Sequence, residues 1–182
     1  MDRLRLATVW LAGCSGCHMS FLDMDEWLLE LGRFAEVVYS PLVDHKEYPN
    51  GVDVCLVEGA VGNTDNLELL CKIRRRTRTL VAFGDCAITG NVTAMRNPVG
   101  NADQVLARVY LDPSNLMACI PAERGVVPSL LNRVVPVHRV VPVEHFLPGC
   151  PPSASLIRQF LESVFTGRTT CSTGQSLSLI HI

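Results

Sequence analysis

Four cysteines occupy positions from which their thiolates could meet. Cys14 and Cys17 lie in Leu11-Ala-Gly-Cys-Ser-Gly-Cys-His18, Cys86 in Phe83-Gly-Asp-Cys-Ala87, and Cys150 in Leu147-Pro-Gly-Cys-Pro-Pro152. A Cys-x-x-Cys pair brings two thiolates to one metal centre from a single turn, and two more must arrive from distant segments. Here 68 residues separate Cys17 from Cys86, and 63 separate Cys86 from Cys150. Distant ligands suit an iron–sulfur cluster seated in a preformed fold, whereas a zinc knuckle uses two close pairs. Gly13, Gly16, Gly84 and Gly149 flank these cysteines. They let the backbone approach inorganic sulfur, whose potential rises when neighbouring N–H groups donate to it. Pro151 and Pro152 have no N–H and stiffen the segment that presents Cys150.

Two other chemistries compete for the same residues. Cys14 and Cys17 alone could be a thiol–disulfide pair, which also sits between a strand and a helix. All four could hold a structural zinc. Cys55, Cys71 and Cys119 are expected to be small buried hydrophobes or bystanders, and Cys171 lies in a stretch without pattern.

The surrounding elements decide whether the four can converge. Short apolar runs at residues 4–11, 36–40, 52–57 and 78–83 read as strands. Residues 13–18 read as a loop. Ser20 begins a capping-box-like start, with apolar positions at helical spacing up to Leu31 and Gly32 as the stop. A second helix spans 64–76, ending in Lys72, Arg74, Arg75 and Arg76, which suit the negative end of a helix dipole. Residues 91–101 read as a loop, 102–110 as a helix, 139–143 as a strand despite Pro142, and 153–165 as a final helix stopped by Gly167. This alternation builds an α/β fold, a doubly wound parallel sheet with helices on both faces, in a single domain over 1–168. Residues 169–182 form an unpatterned tail, read as disordered or as non-native sequence. Ligands of such sheets collect beyond the carboxyl ends of the strands. All four cysteines follow expected strand ends, so the fold and the thiols point to one place.

Composition narrows the function. Hydrophobic residues make up 48% and charged residues 19%, which suits a buried sheet and an apolar surface given over to a permanent partner. The net charge of −2 gives no electrostatic footprint for nucleic acid or an anionic membrane. No apolar run reaches the roughly 18 to 20 residues needed to span a bilayer. The basic and apolar start runs into Cys14 rather than a cleavage site, so a secretory reading is rejected and the cytoplasm is expected. Eight cysteines in a core-rich chain favour metal or redox use over disulfide staples.

The ordered set of cysteine motifs resembles the small subunit of nickel–iron hydrogenases, from about Leu4 to Gly167. Gly13-Cys-Ser-Gly-Cys-His-Met-Ser-Phe-Leu-Asp-Met-Asp25 is most similar to the cytoplasmic, bidirectional, NAD-reducing type. Val57-Glu-Gly-Ala-Val61, Ala94-Met-Arg-Asn97 and Phe146-Leu-Pro-Gly-Cys-Pro-Pro152 support that match. The resemblance implies a flavodoxin-like fold. It implies that Cys14, Cys17, Cys86 and Cys150 ligate one proximal [4Fe–4S] cluster. It also implies electron transfer between a nickel–iron site on a large-subunit partner and an iron–sulfur and flavin module that reduces NAD. The chain itself then holds no nickel. Membrane-bound and periplasmic members carry a further cysteine- and histidine-rich domain; nothing after Phe165 matches one, so a single cluster is implied.

Two rivals share the fold. The cluster-bearing subunit of quinone-reducing respiratory complexes usually has adjacent cysteines at the first position, unlike Cys14-Ser-Gly-Cys17. Deazaflavin-linked hydrogenases commonly carry extra ferredoxin-like cysteines. A flavin could occupy the same edge, although no residue demonstrates one. Glu58, at the end of a strand on the cysteine edge, is a candidate for a proton path or a contact with the large subunit. His18 could donate to a cluster sulfide or face the partner. His138 and His145 read as structural. Asp23 and Asp25 are expected to serve the helix N-terminus. An ionised Asp85 beside Cys86 would lower the cluster potential.

Overall fold

The computed structural model describes residues 3–123 and 125–165. The elements run in order β1 (Leu4–Trp10), α1 (Gly16–Leu22), α2 (Trp27–Phe34), β2 (Ala35–Tyr39), β3 (Val52–Glu58), β4 (Val61–Asn63) and α3 (Thr64–Arg76). There follow β5 (Thr77–Phe83), α4 (Asp85–Thr89), α5 (Asn91–Ala94), α6 (Ala102–Tyr110), β6 (Leu130–Val135), β7 (His145–Leu147) and α7 (Ala154–Phe165). Among the described residues the main sheet is parallel, with strand order β2-β1-β3-β5-β7. Strand order reverses between β1 and β3, the flavodoxin-like arrangement whose ligand sites lie outside the carboxyl ends.

Both faces of this sheet are covered, which explains its apolar strands. Alternate residues point to opposite sides. Val9, Cys55, Val57, Leu80 and Ala82 face Leu70 and Ile73 of α3. Leu6, Val54, Leu56, Val81 and Phe83 face Phe21, Leu31, Ile157 and Leu161 from α1, α2 and α7. Register puts the four strand ends level: Trp10 pairs with Glu58, Glu58 with Phe83, and Phe83 with Leu147. Each segment that carries one of the four cysteines leaves the sheet from this single edge.

Several local expectations are corrected. The first helix starts at Gly16, so Cys17 and His18 are helical rather than loop, and Ser20 is no cap. Asp23 and Asp25 follow that helix rather than serving its N-terminus, and Asp25 takes φ +47 in the break before α2. Gly32 lies inside α2 instead of ending it. Residues 139–143 are not a strand. Pro136 and Pro142 supply no N–H, Val137–Arg139 is a 3-10 turn, and Val140 and Val141 donate back to Val137. The β-branched run there reflects burial of Val137 and Val141 in the core. Residues 91–101 contain the short α5. The ribbon of β4 and β6 and the helix α4 have no counterpart in the sequence-based expectations. Gly167, Cys171 and the tail lie outside the described residues.

Candidate metal centre

The turn that carries Cys14 and Cys17 is fixed from the neighbouring strand. Leu11 N–H donates to Glu58 O at 2.8 Å, and Ala12 and Ala60 exchange backbone hydrogen bonds at 2.8 and 3.0 Å. Gly59 makes this approach feasible: at φ +89, a Cβ there would lie 2.8 Å from Ala12 O. Beyond it, Ser15 is left-handed at φ +67 and gives α1 no side-chain cap. Glu58 supplies the missing acceptors. Its Oε1 accepts from Cys17 N–H at 3.3 Å and its Oε2 from His18 N–H at 3.0 Å. These are first-turn donors that no intrahelical carbonyl can reach. His18 Nδ1 also bonds Glu58 Oε2. Glu58 is 1% exposed, so the carboxylate is an internal anchor of the turn.

The Cys86 and Cys150 segments are bonded to each other. Gly84 N–H donates to Leu147 O at 2.8 Å, Asp85 N–H donates to Gly149 O at 2.9 Å, and Asp85 Oδ1 accepts from Gly149 N–H at 2.8 Å. Asp85 thus clamps the two loops together. Ser20 Oγ, expected at a helix start, instead donates to Pro152 O at 2.6 Å and ties α1 to the Cys150 segment. Gly84 is the point of closest approach. It has φ +83, and a Cβ there would lie 2.2 Å from Cys17 Sγ.

Burial dominates the two inner thiols. Burial pushes the Cys17 thiol up, and the Glu58 carboxylate and the sulfurs of Cys14, Cys86 and Cys150 push it further. Burial also raises Cys86, with Cys14 and Cys150 adding to it and the backbone N–H groups of Val92 and Thr93 opposing it. Cys17 and Cys86 are buried, whereas Cys14 and Cys150 are exposed. Among the described residues no three His, Cys, Asp or Glu side chains lie close enough to share one ion. The segments are nonetheless linked: Gly84 lies against Cys17 Sγ, and the Cys86 loop is bonded to the Cys150 segment. A multi-iron cluster fits such a set, because it takes four separate thiolates and fills the space between them. Two features of the chain agree with a bound group here: the cradle that a Cβ at Gly84 would block, and His18 Nε2, which is buried without a partner among the described residues.

The remaining cysteines stand apart. Cys55 is buried on the opposite face of the sheet from Cys17, with its thiol pushed up to about 12 by burial. Cys71 is half-buried on α3, and Cys119 is exposed in the loop after α6. His138 and His145 make edge-to-face contacts with Phe146 and Phe160. Asn91, which local pattern does not single out, places its side-chain amide 3.4 Å from Cys150 Sγ. Its only advance signal is the Gly90-Asn91 turn pair. Trp10, Met19, Leu22, Val92, Met95 and Phe146, on or next to the segments that carry the cysteines, are exposed, as are apolar side chains elsewhere such as Leu29, Leu116, Met117 and Val126.

Comparison with known proteins agrees with this picture. A family model described as NADH ubiquinone oxidoreductase, 20 Kd subunit, matches residues 14–164. The chain is 37% identical over 172 residues to the NAD-reducing hydrogenase HoxS subunit delta of Cupriavidus necator, covering 91% of this chain and 80% of that one. It is 36% identical over 169 residues to a vhu F420-non-reducing hydrogenase polypeptide of Methanococcus voltae, covering 92% of this chain but only 58% of that one. A crystal structure of an NAD+-reducing [NiFe]-hydrogenase in the H2-reduced state contains a chain of 41% identity that superposes with a TM-score of 0.86, over 91% of this chain and 93% of that one.

Proposed function

This chain belongs to the NADH ubiquinone oxidoreductase 20 Kd subunit family, as one of its hydrogenase small subunits, and on that premise we propose that it relays electrons through one [4Fe–4S] cluster. Cys14, Cys17, Cys86 and Cys150 would hold it. The observation that carries the reading is that the three segments bearing these cysteines leave the sheet at one carboxyl edge and are tied together there, with Gly84 against Cys17 Sγ and the Cys86 loop bonded to the Cys150 segment.

When bound, the cluster supplies one-electron transfer. The chain's own residues do the rest. Glu58 holds the Cys14–Cys17 turn, and Asp85 holds the Cys86 and Cys150 loops in fixed relation. Phe21, Phe83 and Leu147 pack with Cys17 and keep water from its side of the site. Binding releases protons from thiols that burial keeps protonated, so cluster insertion is favoured by rising pH.

The partner is the hydrogenase large subunit, whose nickel–iron site performs the catalysis. The apolar fringe of Trp10, Met19, Leu22, Val92, Met95 and Phe146 suits a permanent interface around the cysteine edge. Similarity to the NAD-reducing relatives supports an iron–sulfur and flavin module as the onward acceptor. Flavin on this chain has no residue to support it. Burial of Glu58 and His18 removes both as partner contacts, and a proton path through Glu58 is the part of that expectation kept here, with its bond to His18 in support. A cytoplasmic setting agrees with the described cysteines, all of which are free thiols. No helix among the described residues is long and apolar enough to cross a membrane.

The test is a split of partial activities in the assembled complex. Cys86→Ser should abolish hydrogen-dependent NAD reduction while the large subunit retains hydrogen–deuterium exchange. Unchanged NAD reduction would exclude the relay.

A further inference from the structure

Among the described residues, Asn91 is the one whose side chain donates a hydrogen bond to a sulfur of the four-cysteine set. Its position follows from the backbone. α4 carries Cys86 and ends at Gly90, which is left-handed at φ +88, and Asn91 follows at φ +34. Two successive positive φ values reverse the chain. A non-glycine residue seldom adopts such a φ, and Asn is among those that do so most readily. The reversal turns Asn91 toward the Cys150 loop, where Nδ2 donates to Cys150 Sγ at 3.4 Å. The backbone N–H groups of the next two residues, Val92 and Thr93, oppose the rise that burial imposes on the Cys86 thiol. The turn thus aims one side-chain donor at the Cys150 sulfur.

Asp would also tolerate the turn at this position. Its carboxylate offers no hydrogen to a sulfur and would add negative charge beside it. An amide both fits the turn and donates.

Resting on the cluster reading above, we propose that Asn91 is a positioning residue of the cluster: its amide holds the Cys150 sulfur and raises the reduction potential. Adding one electron increases the negative charge on the sulfurs. A fixed N–H donor stabilises that charge more after the electron arrives than before, so the reduced state gains more.

The experiment is an anaerobic potentiometric titration, followed by electron paramagnetic resonance, of the chain purified with its large subunit. Wild type is compared with Asn91→Gly and Asn91→Asp, with iron measured in each. Glycine accepts the left-handed backbone, so its effect separates the lost donor from misfolding. The expected result is full iron in Asn91→Gly and a lower midpoint. The reduced-to-oxidised ratio at the wild-type midpoint should fall about tenfold, or about 59 mV for one electron. Asn91→Asp should lie lower still. Unchanged midpoints with iron in place would overturn the role of Asn91 and leave the cluster reading standing. A wild-type complex without a reducible cluster at this chain would overturn both.

Discussion

Glu58 holds His18 twice, accepting its backbone N–H at 3.0 Å and bonding its ring Nδ1 through the same carboxylate oxygen. The other oxygen takes Cys17 N–H. A residue on β3 thereby fixes the start of α1, which has no capping side chain of its own. Removing the carboxylate leaves buried donors without acceptors, at about 1–3 kcal/mol each. Glu58→Ala should therefore cost about 3 kcal/mol and reduce iron retention, with Glu58→Gln in between. Chemical unfolding and iron analysis check this. Full stability in Glu58→Ala would show that the anchor is dispensable.

Gly84 and Gly32 form a contrasting pair. A Cβ at Gly84 would collide with Cys17 Sγ, and φ is +83. Gly84→Ala should lose iron. Gly32 lies in α2, with nothing within 4 Å of an added Cβ. Gly32→Ala should raise stability by about 0.5–1 kcal/mol and leave iron unchanged. Thermal unfolding and iron content of the two variants give the comparison.

Spare cysteines should be separable from ligands. Cys71→Ser and Cys119→Ser should keep full iron and wild-type stability. Cys55→Ser should keep iron but lose about 1 kcal/mol, because it places a hydroxyl at a fully buried strand position beside Tyr48. Iron loss in any of the three would redraw the ligand set.

Acid sensitivity should have a source at Glu144, just before β7 and level with the middle of β5. Partial burial pushes the Glu144 carboxyl up, but Leu80 N–H and Arg74 outweigh it and hold it below its ordinary 4.5. Arg74 Nη1 meets it at 2.8 Å and also donates to Pro142 O. A carboxyl depressed in the fold contributes stability above its unfolded value, and that stability is lost as pH falls through the folded value. Stability conferred by Glu144 should thus be present at neutral pH and fade below about 4.5. Glu144→Gln should lower the urea midpoint at pH 7 and show less further loss at pH 3. Parallel pH profiles for the two proteins would rule out Glu144 as the source.

The sheet is legible in the sequence because its strands are buried on both faces. Their apolar runs at β1, β3 and β5 stand out from the loops, and the final helix and α6 carry clear amphipathic spacing. That the Cys14 and Cys86 segments leave one edge of the sheet follows from strand ends alone, whereas the strand before Cys150 is His145–Leu147 and not the expected 139–143. What escapes depends on contacts between distant segments. Nothing near Gly16 announces a helix, because its cap is Glu58 on another strand. The three residues of β4 are too few to show a period, and its partner β6 is distant in sequence. Val140 and Val141 look extended because burial and β-structure favour the same side chains. Asn91 and Asp85 matter through bonds to a loop about 60 residues further on, which local pattern does not encode.

The most direct test of the relay is iron and acid-labile sulfide analysis of the chain purified without oxygen alongside its large subunit, with an electron paramagnetic resonance spectrum after dithionite. A [4Fe–4S] cluster here predicts about four irons and four sulfides at this chain. It also predicts a reduced-cluster signal that disappears in Cys86→Ser and Cys150→Ser and persists in Cys71→Ser. A folded, colourless chain with one zinc and no sulfide would contradict it.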